Sequence, residues 1–535
     1  MSFDFLNALK QDELDYSTNG ATMYSTSKSP LVDLNFKVSS LRNKTTLKQA
    51  WFDYYEALKE EPIYALKWLL YLRDIRQGIG ERNAFISLLK DLLTKTDINS
   101  KDIIKDLQIA EYGRWKDLID LYINIEQDIN ISNGRKEDIE YSIVIAIAQQ
   151  LIHDNTALSE CKEISLLAKW MPAVKYNKKD YQIKTKLMKS LGFKDERDYK
   201  NFLRPLRQHL KLVEQYASAN KWEEINYEAV PSQANLKYKN AFLKHDEERR
   251  RQYLESLKQG KVKINTNATF PYEIVSKYRA VYYNMLDKLD ETVEAMWNNL
   301  KTIDNFNNTL VVRDGSGSMF TFLPSNSNCR SRYMVEDIAD SLTLYCAQNN
   351  QGYFKDKFIT FSSKPKIVDL SGADTLFDKM TALYKYDDCS NTNIEAVFNT
   401  ILRTAKKNKL PQKDLPKNVL IISDMGFDYA MNAQSDDETL FDGIRDKFTK
   451  AGYELPKLIF WNVDAWNNAK IPMQENKNGL ILLSGFSTNL MQMVCSSEIN
   501  PQKALYEILN SDRYSIVNKV FPDVDELKKQ LIKVN

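Results

Sequence analysis

The sequence predicts a helical N-terminal part followed by an α/β part with a doubly wound, mostly parallel sheet. At 535 residues, the chain exceeds the size at which a single hydrophobic core stops growing. From about residue 46 to residue 300, apolar and aromatic residues recur at helical spacing, whereas after residue 308 short β-rich runs alternate with helical stretches. Residues 1–45 are polar, with Gly20 and Pro30 as breakers, and predict an irregular arm.

The helical part begins with Trp51, Tyr54, Tyr55 and Leu58, and similar windows follow as far as residue 257. Helices of about 10 to 20 residues joined by short polar turns are typical of stacked helical hairpins. The sequence has no strict period, so any repeat is structural.

Five short apolar runs are the expected strands of the α/β part: 310–312, 357–361, 419–422, 458–463 and 480–483. Ligands of such sheets bind at the carboxyl ends of the strands. Asp314 closes the first run and Asp424 the third. We therefore expect both carboxylates at the same edge of the sheet.

A loop rich in hydroxyl groups follows the first run, with Ser316 and Ser318 alternating with two glycines after Asp314. Glycines allow a sharp turn, so these three side chains can direct their oxygens at one point. Carboxylate and hydroxyl oxygens suit Mg²⁺, Ca²⁺ or Mn²⁺. Thr392, at the start of a helical window, can add a further hydroxyl to the cation site, which we favour over the alternative that it is only the N-cap of that helix.

Positive charge is concentrated in one region of a nearly neutral chain. The net charge is +2, but residues 175–263 hold 22 basic and 12 acidic residues, a surplus of +10. Arg204, Arg207 and Lys211 are spaced to share one helix face. Clustered cations of this kind neutralise phosphates, which makes the region a candidate RNA-binding surface. The other candidate cations are Lys237, Lys239, Lys244, Arg249 and Arg250.

Each charged or aromatic candidate also has a structural interpretation. The run 246–251 is typical of a solvated helix face with internal ion pairs. Arg73, Arg76, Arg82 and Arg114 can brace helix ends through carboxylates such as Asp74 and Glu81. Core positions are expected for the large aromatic residues of the helical part, Tyr112, Trp115, Trp170 and Trp222.

Several enzyme classes do not fit the sequence. All three histidines precede the α/β part, which is the wrong order for an α/β-hydrolase. A Walker loop is absent, and neither short glycine pattern has the third glycine of a dinucleotide fingerprint. Scarce histidine and unpaired cysteines disfavour zinc chemistry. Metal-dependent hydrolysis stays open in principle, but we expect a binding protein rather than an enzyme.

The five cysteines are scattered without a Cys-x-x-Cys pair, which predicts reduced thiols in a cytoplasmic protein. The N-terminus lacks a basic region followed by an apolar core, and no run of eighteen apolar residues occurs. Neither export nor membrane insertion is predicted.

Asp314, Ser316, Ser318, Thr392 and the segment 421–424 together resemble the metal-ion-dependent adhesion site of von Willebrand factor A domains. The resemblance covers residues 301–535 and implies a Rossmann-like domain. It implies that Asp314, Ser316 and Ser318 ligate Mg²⁺ or a similar hard cation, with Thr392 and Asp424 bound directly or through water. An acidic group of a protein partner would take the open coordination position. Arg313 and the segment 425–427 depart from the common pattern.

Segments 71–82, 111–118 and 167–172 resemble the TROVE module of Ro-type RNA-binding proteins. The match is closer to an uncharacterised branch of that group, which also carries the region 204–264. The resemblance implies a HEAT-like repeat ring over residues 46–300, closed by the metal-site domain into a monomeric ring. Small structured RNAs or single-stranded RNA ends are the implied ligands. The alternative is a metal-dependent protein–protein interaction module that does not bind RNA.

Overall fold

The computed structural model describes residues 14–174, 180–281, 288–324, 331–362, 364–386, 393–428, 440–467, 470–473, 479–495 and 500–531. The chain divides into two compact units. The α/β unit holds the chain up to Ala57, then Pro231–Leu236 and Leu254–Ile508. The helical unit holds Leu58–Val230, Lys237–Tyr253 and the residues from Leu509 to the C-terminus.

The helices and strands are labelled in chain order. The strands are β1 (Leu14–Tyr16), β2 (Thr22–Tyr24), β3 (Thr309–Asp314), β4 (Lys357–Phe361), β5 (Ile367–Asp369), β6 (Asn418–Ser423), β7 (Lys457–Asn462) and β8 (Leu480–Ser484). The α-helices are α1 (Pro30–Phe36), α2 (Lys44–Glu60), α3 (Pro62–Arg73), α4 (Arg82–Lys95), α5 (Ile109–Tyr112), α6 (Trp115–Gln127), α7 (Asn133–Ser159), α8 (Leu167–Trp170), α9 (Tyr181–Ser190), α10 (Glu196–His209), α11 (Val213–Ser218), α12 (Ser232–His245), α13 (Glu247–Lys258), α14 (Pro271–Val275), α15 (Glu291–Asn298), α16 (Val335–Asn349), α17 (Leu376–Tyr384), α18 (Ile394–Asn408), α19 (Leu440–Lys450), α20 (Met491–Val494), α21 (Pro501–Leu509), α22 (Ile516–Val520) and α23 (Val524–Leu531).

A six-stranded sheet of order β5-β4-β3-β6-β7-β8 forms the centre of the α/β unit. All neighbours pair in parallel except β5, which is an antiparallel edge strand. The residues of β3 are buried along its whole length, and α16 packs against β3, β4 and β6. The predicted helical part and mostly parallel sheet are therefore confirmed. The edge strand β5 escapes prediction because three residues are too short to show a period.

The N-terminal segment, which was predicted to be an irregular arm, is part of the α/β unit. After the β1–β2 hairpin and α1, the Ser39 hydroxyl donates to the carbonyl of Asn462, 2.9 Å away. The Ser39 amide donates to the Ser484 hydroxyl at 2.9 Å, and the Asn462 amide group donates to the Phe36 carbonyl at 2.8 Å. The polar composition of this segment thus reflects hydrogen bonds to the ends of β7 and β8.

The C-terminal segment belongs to the helical unit rather than to the α/β unit. Arg513 donates to the fully buried carboxylate of Asp74, with Nε 2.8 Å from Oδ2. The Tyr514 hydroxyl donates to the same oxygen at 3.2 Å, and Tyr112 donates to the Arg513 carbonyl at 2.8 Å. The division into units therefore differs from the predicted contiguous segments 1–45, 46–300 and 301–535, because each end of the chain pairs with residues more than 400 positions away.

Successive helices α3, α4, α6 and α7 pack on one another in the helical unit. Among the aromatic residues expected in the core, Tyr112 and Trp222 are buried, whereas Trp115 and Trp170 are partly exposed. No helix in the described ranges is long and apolar enough to cross a membrane.

A buried carboxylate, Asp117, connects α3, α4 and α6. Its Oδ2 lies 2.7 Å from Arg73 Nε and its Oδ1 lies 2.9 Å from Arg82 Nε. Arg114 contributes its amide, 3.2 Å from Oδ2. A Cβ at Gly113 would lie 2.3 Å from the same oxygen, which explains the glycine. These arginines brace helix ends as the structural interpretation expects, but through Asp117 rather than through neighbouring carboxylates.

We expect Asp117→Ala to lower the free energy of unfolding by about 3–5 kcal/mol, because it leaves the buried Arg73 guanidinium without its partner. Urea denaturation followed by far-ultraviolet circular dichroism measures the change. The control is Glu247→Ala, which removes an exposed ion pair with Arg251 and should cost less than about 1 kcal/mol. Equal effects of the two substitutions would contradict the bracing role of Asp117.

Candidate divalent-cation site

The parallel pairing of β3 with β6 brings two carboxylates together. Asp314 is the last residue of β3, and Asp424 directly follows β6. The register places Arg313 opposite Ile422, so the two strands end at nearly the same level. The structure thus brings Asp314 and Asp424 to one edge of the sheet.

Asp314 is fully buried and hydrogen-bonded through both carboxylate oxygens. Oδ1 accepts from the Ser316 amide at 2.9 Å, and Oδ2 accepts from the Ser423 hydroxyl at 2.5 Å. Burial and the negative charge of Asp424 raise the pKa of Asp314 to about 7. A cation at this edge would offset both effects and favour the ionised carboxylate.

The two serine hydroxyls lie beside Asp314 in the loop that leads into the short 3₁₀ helix Gly317–Phe320. Ser316 Oγ and Ser318 Oγ are 3.0 Å apart, and Ser316 is buried whereas Ser318 is exposed. Gly317 does not need the conformational freedom that the sequence predicts for it, because it has no positive φ and an added Cβ would meet no atom within 4 Å. The turn of this loop therefore does not depend on the conformational freedom of Gly317.

Asp464 is a third carboxylate at the same edge, and sequence reasoning missed it. It follows β7 and is 7% exposed, and it accepts the amides of Trp466 and Asn467 at 2.7 and 3.1 Å. Burial, together with the charge of Asp424, raises the pKa of Asp464 to about 6. Its position at the end of the fourth predicted run was the signal that could have found it.

No group of three or more His, Cys, Asp or Glu side chains is arranged to hold a metal ion within the described ranges. Asp464 is therefore a neighbouring charge rather than a ligand that completes an all-acid cluster. The candidate set combines the carboxylates of Asp314 and Asp424 with the hydroxyls of Ser316 and Ser318. Such a set is suited to a hard cation that prefers oxygen.

The predicted ligand Thr392 lies outside the described residues. Helix α18 begins at Ile394, and its N-cap is Asn393, whose side chain accepts the Ala396 amide at 2.9 Å. The capping role considered for Thr392 is therefore held by Asn393.

The tip of the β1–β2 hairpin borders the loop that follows Asp424. Ser17 donates to the Phe427 carbonyl at 2.6 Å, and Asn19 donates to the Gly426 carbonyl at 2.7 Å. A Cβ at Gly426 would lie 2.8 Å from Thr18 Oγ1 and 3.1 Å from Asp424 Oδ1. The glycine in this loop thus makes room for the hairpin beside the candidate site.

Arg313, which departs from the adhesion-site pattern, is buried and turned to α16. Its Nε lies 2.7 Å from Asp340 Oδ1, and its Nη2 lies 3.4 Å from Glu336 Oε1. The positive charge of Arg313 is therefore balanced by two acidic residues of α16. Although Arg313 is adjacent to Asp314 in β3, its side chain contacts α16.

Two family models match the chain, both of domains of unknown function: DUF2828 over residues 178–309 and DUF7788 over residues 308–524. The chain is also similar to "Uncharacterized protein L728" of Acanthamoeba polyphaga mimivirus. The two are 30% identical over 543 residues, which cover 95% of this chain and 89% of the viral protein. The chain belongs to the family of this viral protein. The residues of the candidate cation site from Asp314 to Asp464 all fall within the DUF7788 match.

Three of the cations predicted to bind RNA have structural roles in this family member. Arg207 donates to the carbonyls of Ala168 and Met171, at 2.8 and 2.9 Å. Arg249 donates to the carbonyls of Glu223 and Ile225, at 2.6 and 2.7 Å. Arg250 is fully buried, and its guanidinium lies over three rings at 5.1 to 5.3 Å, those of Tyr227, Phe242 and Tyr253. The RNA-binding prediction is wrong for Arg250, which solvent cannot reach, and Arg207 and Arg249 are already engaged with backbone carbonyls.

The other predicted cations keep access to solvent. Arg204, Lys211, Lys237 and Lys244 are exposed, and Lys239 is partly buried. Lys237 donates to the neighbouring Tyr238 hydroxyl at 2.9 Å. Leu203, Leu206 and Val213, in the same part of the chain, are buried. Helix α10 ends at His209, so Lys211 does not share a helix face with Arg204 and Arg207 as the sequence predicts.

We expect Asp340→Ala to lower the free energy of unfolding by about 3–5 kcal/mol, because it removes the nearest partner of the buried Arg313. Chemical denaturation measures the loss. A replacement that removes all three charges, Arg313→Met with Asp340→Leu and Glu336→Gln, should lose less free energy of unfolding than the single substitution. A triple variant less stable than Asp340→Ala would show that the charges do not act as one network.

Proposed function

We propose that the protein is a binding scaffold whose α/β unit holds a divalent cation and, through it, an acidic group of a partner. The observation that carries the proposal is the meeting of Asp314 and Asp424 with two serine hydroxyls at the ends of neighbouring parallel strands. Mg²⁺ is the favoured cation, with Ca²⁺ and Mn²⁺ as chemical relatives. The resemblance to von Willebrand factor A domains supports the same ligand set.

The residues present fit such a cation. Every candidate ligand is a hard oxygen, and the buried Asp314 has a raised pKa that a nearby positive charge would lower. When bound, the cation would supply an electrophilic position for a carboxylate. Asp314 and the serines would hold it from the β3 side, and Asp424 from the β6 side.

Binding rather than catalysis is proposed because the α/β unit lacks a histidine to act as a general base. His153, His209 and His245 all belong to the helical unit. The Ser316 and Ser318 hydroxyls contact each other, and Ser423 donates to a carboxylate whose other oxygen is also occupied. These contacts orient ligands for a cation and do not activate a nucleophile.

We expect Mg²⁺ at a hundredfold excess over its dissociation constant to stabilise the protein by about 2.7 kcal/mol. Asp314→Ala should abolish this stabilisation, because it removes the buried carboxylate of the site. The matched control, Asp369→Ala, removes an exposed carboxylate of β5 and should keep it. Calorimetry with Mg²⁺ and with EDTA measures both variants. An unchanged Mg²⁺-dependent shift in a folded Asp314→Ala protein would rule out the site.

We further propose that the helical unit binds RNA. The supporting observation is that Arg204, Lys211, Lys237 and Lys244 are exposed and pair with no carboxylate among the described residues, in a region with a surplus of +10. Exposed cations that form no close ion pair can neutralise phosphates. The resemblance of segments 71–82, 111–118 and 167–172 to the TROVE module supports single-stranded or small structured RNA as the ligand.

We expect the triple substitution of Arg204, Lys211 and Lys244 to Glu to weaken binding of labelled single-stranded RNA at least tenfold. The slope of log affinity against log salt should fall by about 2, because three phosphate contacts are lost. The control reverses the same number of exposed charges in the α/β unit, at Lys406, Lys407 and Lys413. Filter binding over a salt series compares them. If the variant of Arg204, Lys211 and Lys244 binds RNA with the affinity and the salt dependence of the wild type, these residues do not bind RNA.

A metal-dependent protein-interaction module without RNA binding is the second candidate. It is favoured by the structural roles of Arg207, Arg249 and Arg250, which reduce the predicted cationic surface. Failure of wild-type protein to bind RNA at low salt, together with Mg²⁺-dependent stabilisation, would select it.

A further inference from the structure

The helical unit contains a cavity of about 350 Å³ between α7 and the chain segment that precedes α6. Its buried apolar lining comes from Ile104, Ile109 and Leu118. Trp115 adds an aromatic ring, and Gln149 and Gln150 of α7 add side-chain amides. The volume falls in the range of small-ligand pockets.

The backbone beside this cavity departs from regular helix. Residues Asp102–Asp106 form a π-helical turn, in which the Leu107 amide donates to the Asp102 carbonyl at 2.9 Å. Gln108 follows in a left-handed conformation with φ 54° and lines the cavity. π-turns and left-handed non-glycine residues cost free energy and concentrate at functional sites. The chain therefore departs from regular α-helix in the segment that lines the cavity.

The chemistry of the lining favours a flat, uncharged, hydrogen-bonding ligand. Aliphatic side chains and the indole of Trp115 offer surfaces to the faces of a ring, while amide groups offer both donors and acceptors to its edge. The charged side chains of the lining, Lys105 and Glu111, have opposite signs, so neither a bare anion nor a bare cation is favoured. A heteroaromatic base has both required properties.

We propose that this cavity binds a single nucleobase. A larger open cavity of about 860 Å³ shares Gln108 and Glu111 with it and is lined in part by Arg513 and Lys519. Arg513 is engaged with Asp74, whereas Lys519 is exposed and has no ion pair with the described residues. The ribose and phosphate attached to the base would lie in this larger cavity, with the phosphate toward Lys519. The inference rests on the proposed RNA binding only for the source of the base.

Photocrosslinking of full-length protein with 8-azidoadenosine tests the proposal. One arm uses free 8-azidoadenosine monophosphate, and the other uses a single-stranded oligoadenylate with one such base. Mass spectrometry then maps the labelled peptides. We expect labelling within residues 104–118 or 146–153, since these ranges supply the lining.

Two variants test the location. Ala146 lines the cavity, so Ala146→Phe should fill it and reduce labelling at least tenfold. Ala148→Phe, the same substitution on another face of α7, should leave labelling unchanged. Gln149→Leu changes an exposed residue without removing volume and should weaken binding of the labelled probe about tenfold, through the lost amide.

Labelling by the free nucleotide would support a nucleotide site, and labelling by the oligonucleotide alone would support an unpaired RNA base. No labelling of the lining by either probe would overturn the proposal, as would equal labelling of wild type and Ala146→Phe. RNA binding that depends on Arg204 without labelling of the cavity would leave the RNA proposal standing and remove this one. If the protein does not bind RNA but the free nucleotide labels the cavity, the nucleobase proposal stands and the RNA proposal falls.

Discussion

The parallel hydrogen bonding of β3 with β6 is the constraint on which the candidate site depends. Parallel strands end on the same side of a sheet, so the register of Arg313 with Ile422 determines that Asp314 and Asp424 approach each other. Their mutual repulsion is part of the folded state, because neither strand can shift without losing its ladder. The sheet therefore holds the two carboxyl groups together, and the proposed cation would meet both without a rearrangement of the backbone.

Buried charge has a second role in this molecule, which is to connect helices to their surroundings. Asp117 forms ion pairs with an arginine of α3 and with an arginine at the start of α4. Arg313 of β3 forms ion pairs with two acidic residues of α16. Arg250 is surrounded by three aromatic rings, those of Tyr227, Phe242 and Tyr253. Arginine suits these positions because its planar group combines directed hydrogen bonds with stacking. Clustered arginines in this chain are therefore not by themselves evidence of phosphate binding.

Patterns that depend on local spacing were predictable, and contacts between distant segments were not. Period and alternation gave the helical part, the parallel strands and the positions of Asp314 and Asp424 at strand ends. Helical spacing placed Arg204 and Arg207 on one face, but could not show that carbonyls of α8 and its end would accept from Arg207. Asp464 followed a recognised run and was still missed, because its importance arises from a neighbour across the sheet. The polar N-terminal segment looked irregular since its partners lie at the other end of the chain.

Each unit depends on contacts between residues that are far apart in the sequence. Ser39 is hydrogen-bonded to Ser484 of β8, which lies 445 positions away in the sequence. Asp74 is hydrogen-bonded to Arg513, which lies 439 positions away. Neither hydrogen bond can form before the later partner, Ser484 or Arg513, has been synthesised. Contacts of such high sequence separation slow folding, because the entropy of closing a long loop is lost before the contact forms. We therefore expect both units to fold more slowly than units held together by local contacts.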